Sequence, residues 1–239
     1  MIAAVVLAAG PGTRLGELGA SMPKAMIEVA GRPYLDHLAV RLLEAGVRPV
    51  VIAVHHHDEM IRAHFADDRR WADLVFVRTP QQGTGADLLA SLGHVPMEGF
   101  VVWNGDTVVD LDLAALLAFA AEDPGSGVVA LTRRTGVPNE GAFYVADDGI
   151  VRASLEASPP PTVPETFAWR GSSAGVLVLR KSLLAAFGSA SPLSLERTVL
   201  PGLISAGRLR AFDNGTRYFL DFGTPAALQQ LHRDQFVFS

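Results

Sequence analysis

The chain has 239 residues, 49% of them hydrophobic, with no cysteine and a formal net charge of −5. That length and apolar content support a substantial core, and the lack of cysteine excludes disulfides, thiolate metal sites and cysteine nucleophiles. A mildly acidic balance argues against a nucleic-acid surface, which would show as clustered excess Lys and Arg. No apolar run reaches the ~18 residues of a membrane span, and Met1–Ala9 lacks a basic leader region and runs at once into a glycine-rich turn. The expectation is a cytoplasmic protein, monomer or homodimer, with neither nucleic acid nor membrane as partner.

In chain order, Ile2–Leu7 reads as a buried strand ending in Gly10-Pro11-Gly12. Leu35, Leu38, Leu42 and Leu43 share one face of a helix predicted over Tyr34–Ala45, stopped by Gly46. Strands follow at Val50–Val54, Leu74–Val77 and Phe100–Trp103, with helices at Asp58–Phe65 and Ala86–Leu92. This alternation predicts a Rossmann-like wound α/β sheet, mostly parallel, with helices on both faces. After residue 111 the pattern loosens to a helix at Leu113–Ala121 and strands at Val128–Thr132, Gly141–Val145, Ala174–Leu179 and Tyr218–Leu220. A Pro-rich loop, Ser158–Pro164, is expected to cover or border the site, and a terminal helix starts at Pro225. The organisation predicted is one domain over 1–239, with a nucleotide-binding half at 1–110 and an acceptor-binding half at 111–239.

Ligands of such sheets sit beyond the carboxyl ends of the strands, where both the glycine loop and Asp106 fall. In Leu7-Ala8-Ala9-Gly10-Pro11-Gly12-Thr13-Arg14-Leu15 the glycines allow backbone N–H groups to approach an anion, and Arg14 and Lys24 supply charge. Taken alone, this loop reads equally as a tight turn; it is neither a Walker loop nor a dinucleotide fingerprint. Asp106 in Asn104-Gly105-Asp106 and Asp221 in Asp221-Phe222-Gly223-Thr224-Pro225 each cap a turn, or together offer oxygen ligands to Mg²⁺. His55-His56-His57 point in different directions after a strand and read as a solvated start to a helix.

Together these segments resemble the sugar-phosphate nucleotidyltransferase family. The likeness runs through Leu7–Leu15, Pro23-Lys24, Val29-Ala30-Gly31-Arg32-Pro33, Gly83-Thr84-Gly85, Asn104-Gly105-Asp106, Ser194-Leu195-Glu196 and Asp221–Pro225. It is greatest for short enzymes similar to heptose or mannose 1-phosphate guanylyltransferases, which have a GT-A-like fold and no appended β-helix. The resemblance implies transfer of a nucleoside monophosphate from an NTP to a sugar 1-phosphate, with Mg²⁺ as cofactor. It implies that Leu7, Ala8, Ala9, Gly10, Gly12 and Thr13 wrap the nucleotide, with Asn104 and Gly105 beside it, and that Arg14 and Lys24 hold phosphates. Gly83 and Thr84 would line the base and ribose, Asp106 and Asp221 would bind Mg²⁺, and Arg14, Lys24 and Asp106 would carry catalysis. Gly141, Glu156 and Ser173 match positions that contact the sugar.

Three positions depart from the family pattern. Arg78 stands where the base is read, Ala157 replaces a lysine, and Ser173 replaces an asparagine. The acceptor expected is therefore a less usual one, such as a heptose or modified sugar 1-phosphate. Two other readings stay open: a catalytically silent nucleotide-binding homologue, and a nicotinamide-dependent oxidoreductase, although the latter wants an acidic residue where the chain has His55.

Overall fold

The computed structural model describes residues 2–133, 142–157, 161–188 and 192–234. The first apolar run forms β1 (Ile2–Leu7), the centre of a parallel set with β4 (Val47–Val54), β5 (Leu74–Arg78) and β6 (Gly99–Asn104), in the order β6-β1-β4-β5. Val5 pairs in register with Val51 on one side and Val102 on the other. Successive side chains of a strand face opposite ways. Ala4 and Val6 thus join the core under α2 (Tyr34–Glu44) and α5 (Leu113–Glu122), while Ala3 and Val5 join the one under α4 (Thr84–Ser91) and α7 (Leu200–Ser205). Helices therefore cover both faces, as the alternating pattern predicted. Further helices are α1 (Glu17–Ser21), α3 (Asp58–Phe65), α6 (Lys181–Leu184) and α8 (Pro225–Asp234).

The second half extends the same sheet. β11 (Trp169–Arg180) lies antiparallel to β6 through Val176–Arg180 and to β9 (Ala142–Val145) through Trp169–Ser172. Its other edge pairs with β8 (Gly127–Thr132), which also carries parallel β12 (Leu209–Asp213); β10 (Val151–Ser154) closes the far side against β9. The β8 register shifts between Ser173 and Leu177, so β11 bulges where it passes the site. No helix among the described residues is long and apolar enough to cross a membrane.

Two small sheets stand apart. β2 (Glu28–Val29) pairs with β3 (Arg32–Pro33), and β7 (Thr107–Val109) pairs with β13 (Phe219–Asp221). The second is fixed from below by α2, whose Tyr34 hydroxyl donates to the Thr107 carbonyl while Arg41 donates to the carbonyls of Val109 and Leu111. β7, β10, β12 and α7 are absent from the sequence reading, and β11 begins at Trp169, not at Ala174. The missed stretches are short or carry polar residues on a face turned to a cavity, so alternation alone is a weak signal for them. Gly141 and residues 158–160 of the Pro-rich loop lie outside the described residues.

Candidate active site

Because β4 and β5 extend from one side of β1 and β6 from the other, the connections diverge at the β1/β6 boundary, where wound sheets bind ligands. The Gly105 N–H donates to Leu7 O at 2.9 Å, carrying the ladder one step past the strand ends and seating Asp106 against the glycine loop. β13 then brings Asp221 opposite Thr107, and the Phe222 N–H donates to Asp106 O at 3.0 Å. Two carboxylates some 115 residues apart in sequence thereby become neighbours.

The cations converge on them. Lys24, in a single 3₁₀ turn (Lys24–Met26) after Pro23, donates from Nζ to Asp106 Oδ2 at 3.0 Å. A Cβ at Gly223 would lie 2.8 Å from Asp221 Oδ1, 2.9 Å from Arg14 Nη2 and 3.2 Å from Lys24 Nζ, so three charged side chains crowd one point. Protein packed around the Asp221 carboxyl, followed by the Asp106 charge, pushes its pKa up, against the Gly223 N–H, Arg14 and Lys24. Its outer edge is exposed, which limits how far the group is removed from water. A carboxylate disfavoured by a like neighbour is one that a divalent cation would relieve, and Mg²⁺ takes one or two carboxylates with waters and substrate phosphates completing its shell. Asp106 and Asp221 fit that donor set; no cluster of three or more His, Cys, Asp or Glu able to hold a metal occurs among the described residues.

A cavity of about 440 Å³ opens on the glycine-loop side, lined by Leu7, Ala9, Gly10, Lys24, Gln81 and Thr84 among others. A second, of about 230 Å³, lies toward β11 and is lined by Glu156, Ser172, Ser173, Leu195 and Glu196, and both share Asn104 and Asp221 as walls. The Asn104 Oδ1 is fully buried without a hydrogen-bond partner at this junction. Gly83 lines the first cavity at φ 104°, with Leu193 O 2.4 Å from where a Cβ would stand, so only glycine lets α4 begin there. Ala8 lies beneath Gly105, Gly12 turns the loop at φ 66°, and Thr13 and Arg14 form its exposed outer turn.

Arg78 is not brought to the cavity. Its side chain is 65% exposed and donates to Asp58 Oδ1 at 3.1 Å, because it ends β5 facing α3. Gln81 takes the wall instead: Nε2 donates to Ala9 O at 2.7 Å, while its own N–H donates to Asp87 Oδ1 at 3.0 Å. Burial raises the Asp87 pKa, opposed by Thr79, the Gln81 N–H and His55. His55 bonds through Nδ1 to Thr79 O and His57 through Nε2 to Ala20 O, so both join loops together. Ser173 lines the second cavity, its Oγ accepting from the Gly175 N–H. Glu156 lines it too; burial and then the charge of Glu196 push its pKa up to about 7. Gln81 and Asp87 were not singled out from the sequence, since each acts through partners remote in the chain, and Glu196 was read only as part of the Ser194-Leu195-Glu196 segment, with no role of its own.

Residues 4–145 match the family described as the MobA-like NTP transferase domain. The chain belongs to that family. It is 30% identical to a mannose-1-phosphate guanylyltransferase of Mycobacterium tuberculosis over 226 residues, covering 93% of this chain and 61% of the relative's length. Solved structures bear out the fold: HddC from Yersinia pseudotuberculosis complexed with GMP-PN superposes with a TM-score of 0.78 at 23% identity, covering 98% of this chain and 99% of that one. A putative glucose-1-phosphate thymidylyltransferase from Bacillus anthracis gives 0.82 at 14% identity over 98% and 95%.

Proposed function

We propose that the protein transfers a nucleoside monophosphate from an NTP to a sugar 1-phosphate and releases pyrophosphate. The observation that carries this reading is the pair of cavities meeting at Asn104 and Asp221, with Lys24 and Asp106 at the nucleotide side of the junction and Arg14 at its rim. The family membership and the guanylyltransferase relative support it; the Yersinia pseudotuberculosis complex adds only that the same fold accepts GMP-PN.

The acceptor phosphate is already anionic, so no side chain needs to serve as nucleophile. An acceptor oxygen forms its bond to the α-phosphorus as the bond from that phosphorus to the bridging oxygen breaks, and both electrons leave with pyrophosphate. Lys24 neutralises charge at the attacked phosphate, and Arg14, on the outer turn of the loop, meets the departing pyrophosphate. Backbone of the Leu7–Thr13 segment brackets the triphosphate, and Asn104 orients groups across the junction. Asp106 and Asp221 would hold Mg²⁺, which supplies charge stabilisation at the transferred phosphate when bound.

The test is pyrophosphate release across four NTPs, each with glucose, mannose, N-acetylglucosamine and heptose 1-phosphates. At least one pair should turn over with Mg²⁺ and stop on chelation. Silence of every pair, with NTP binding retained, would leave a binding homologue.

A further inference from the structure

Glu196 sits between the two cavities. Thr84, at the start of α4 on the nucleotide side, donates from Oγ1 to Glu196 Oε2 at 2.6 Å and accepts from the Leu195 N–H at 2.9 Å. Ser194 Oγ donates to the same Oε2 at 3.0 Å. Glu196 therefore accepts twice at Oε2 and is tied through Thr84 to the wall of the first cavity. On its other side it shares the 230 Å³ cavity with Glu156, and both also line a further opening of about 500 Å³ with Ala157 and Arg197.

Glu156 has the opposite character. Its Oε2 is fully buried with no hydrogen-bond partner, and Glu196 brings a like charge beside it. A buried carboxylate with no donor and a like charge nearby is a poor anion but a satisfactory neutral acid. A neutral carboxyl donates one hydrogen bond and accepts others.

We propose that Glu196 is a positioning residue that keeps Glu156 a neutral carboxyl, donating to an acceptor oxygen, so that the acceptor is read as a neutral polyol phosphate and not as an amine. This rests on the second cavity being the acceptor site. Glu196 accepts while Glu156 donates, and adjacent hydroxyls of a polyol, each donor and acceptor, answer that pair. An ammonium would instead favour Glu156 ionised. The charged groups lining the two openings with Glu156 are Glu196 and Arg197, with Asp221 on the wall of the 230 Å³ cavity. Binding of the acceptor should therefore weaken once Glu156 loses its proton, while NTP binding should not.

Two measurements on the full chain test this. ¹³C NMR of labelled glutamate carboxyls should find one group titrating at about 7, identified by its loss in Glu156→Gln. In Glu196→Gln that midpoint should fall toward the ordinary carboxylate range. A Glu156 midpoint near that range in the parent, or one unmoved in Glu196→Gln, overturns the proposal.

The second is the acceptor KM at pH 6 and 8. Relative to Glu156→Gln, whose amide donates at every pH, the parent KM should rise about tenfold, with the NTP KM unchanged. The ratio cancels the acceptor's own phosphate titration and needs no Glu196 variant, should that one fail to fold. A flat ratio, or tighter binding of an amino sugar phosphate at pH 8 than at pH 6, sinks the polyol reading. Failure of every NTP and sugar phosphate pair with the titration intact would remove the transferase reading and the polyol with it, leaving the Glu196–Glu156 linkage standing.

Discussion

Asp221 is held in the free protein at some expense, since packing and the Asp106 charge raise its pKa despite two nearby cations. A group whose folded pKa is raised contributes stability that is complete below its unfolded pKa and is lost as pH rises through the folded value. Asp221→Asn should therefore raise the thermal midpoint in metal-free buffer at pH 8 and not at pH 4, while turnover falls by about 10²–10⁴. Calorimetry and pyrophosphate release check the two halves, and near-normal turnover at saturating Mg²⁺ would remove the metal role. Glu156 obeys the same sign. The parent should lose stability between about pH 4.5 and 7 relative to Glu156→Gln, by on the order of 2 kcal/mol in urea titrations. Equal slopes against pH would mean that Glu156 is ionised in the folded state. The glycine loop, Lys24, Asp106 and Asp221 were readable in the sequence because each is a chemically distinctive residue beside a strand end. Arg78, expected where the base is read, pairs with Asp58 instead of lining the cavity, a contact that its spacing from Gly83 does not reveal.

Element by element, legibility followed burial. Ile2–Leu7 and Asp58–Phe65 match their expected limits, and Tyr34–Glu44 ends one residue early, because two-sided burial or one apolar helix face leaves a strong period. β11 was half legible: its Ala174–Leu179 stretch is buried on both faces, whereas Ser172 and Ser173 turn to the second cavity. β13 was anticipated to within one residue, whereas β7, its three-residue partner, gains its place from Tyr34, Arg41 and β13, contacts no local pattern reveals. The start of α4 is equally tertiary. Its Gly85 and Ala86 N–H groups are both taken by Leu193 O, so its end is tied to a distant loop and not left open for an anion. Gly83→Ala should strain that junction, at φ 104° and against Leu193 O, and lower stability by about 1–3 kcal/mol while raising the NTP KM. A variant with unchanged urea midpoint and NTP KM would show that the loop yields freely.

At the scale of the molecule, two neighbouring cavities are built on one sheet, and β11 is its seam. It bonds to β6 at one end, β9 at the other and β8 along its opposite edge. During synthesis, β1, β4, β5 and β6 are complete by residue 104, yet the outer edge of β6 has no partner until Val176–Arg180 emerges. The nascent chain must then carry an open, apolar strand edge, Phe100–Trp103, for some 70 further residues, which is a template for pairing with other chains. A fragment ending at residue 145 should accordingly aggregate on expression, and co-expressing residues 146–239 should recover part of it as soluble complex. A monomeric, folded 1–145 fragment would show that the edge is protected by other means. The strand that lines the second cavity thus also sets the interval in which the growing chain exposes that edge.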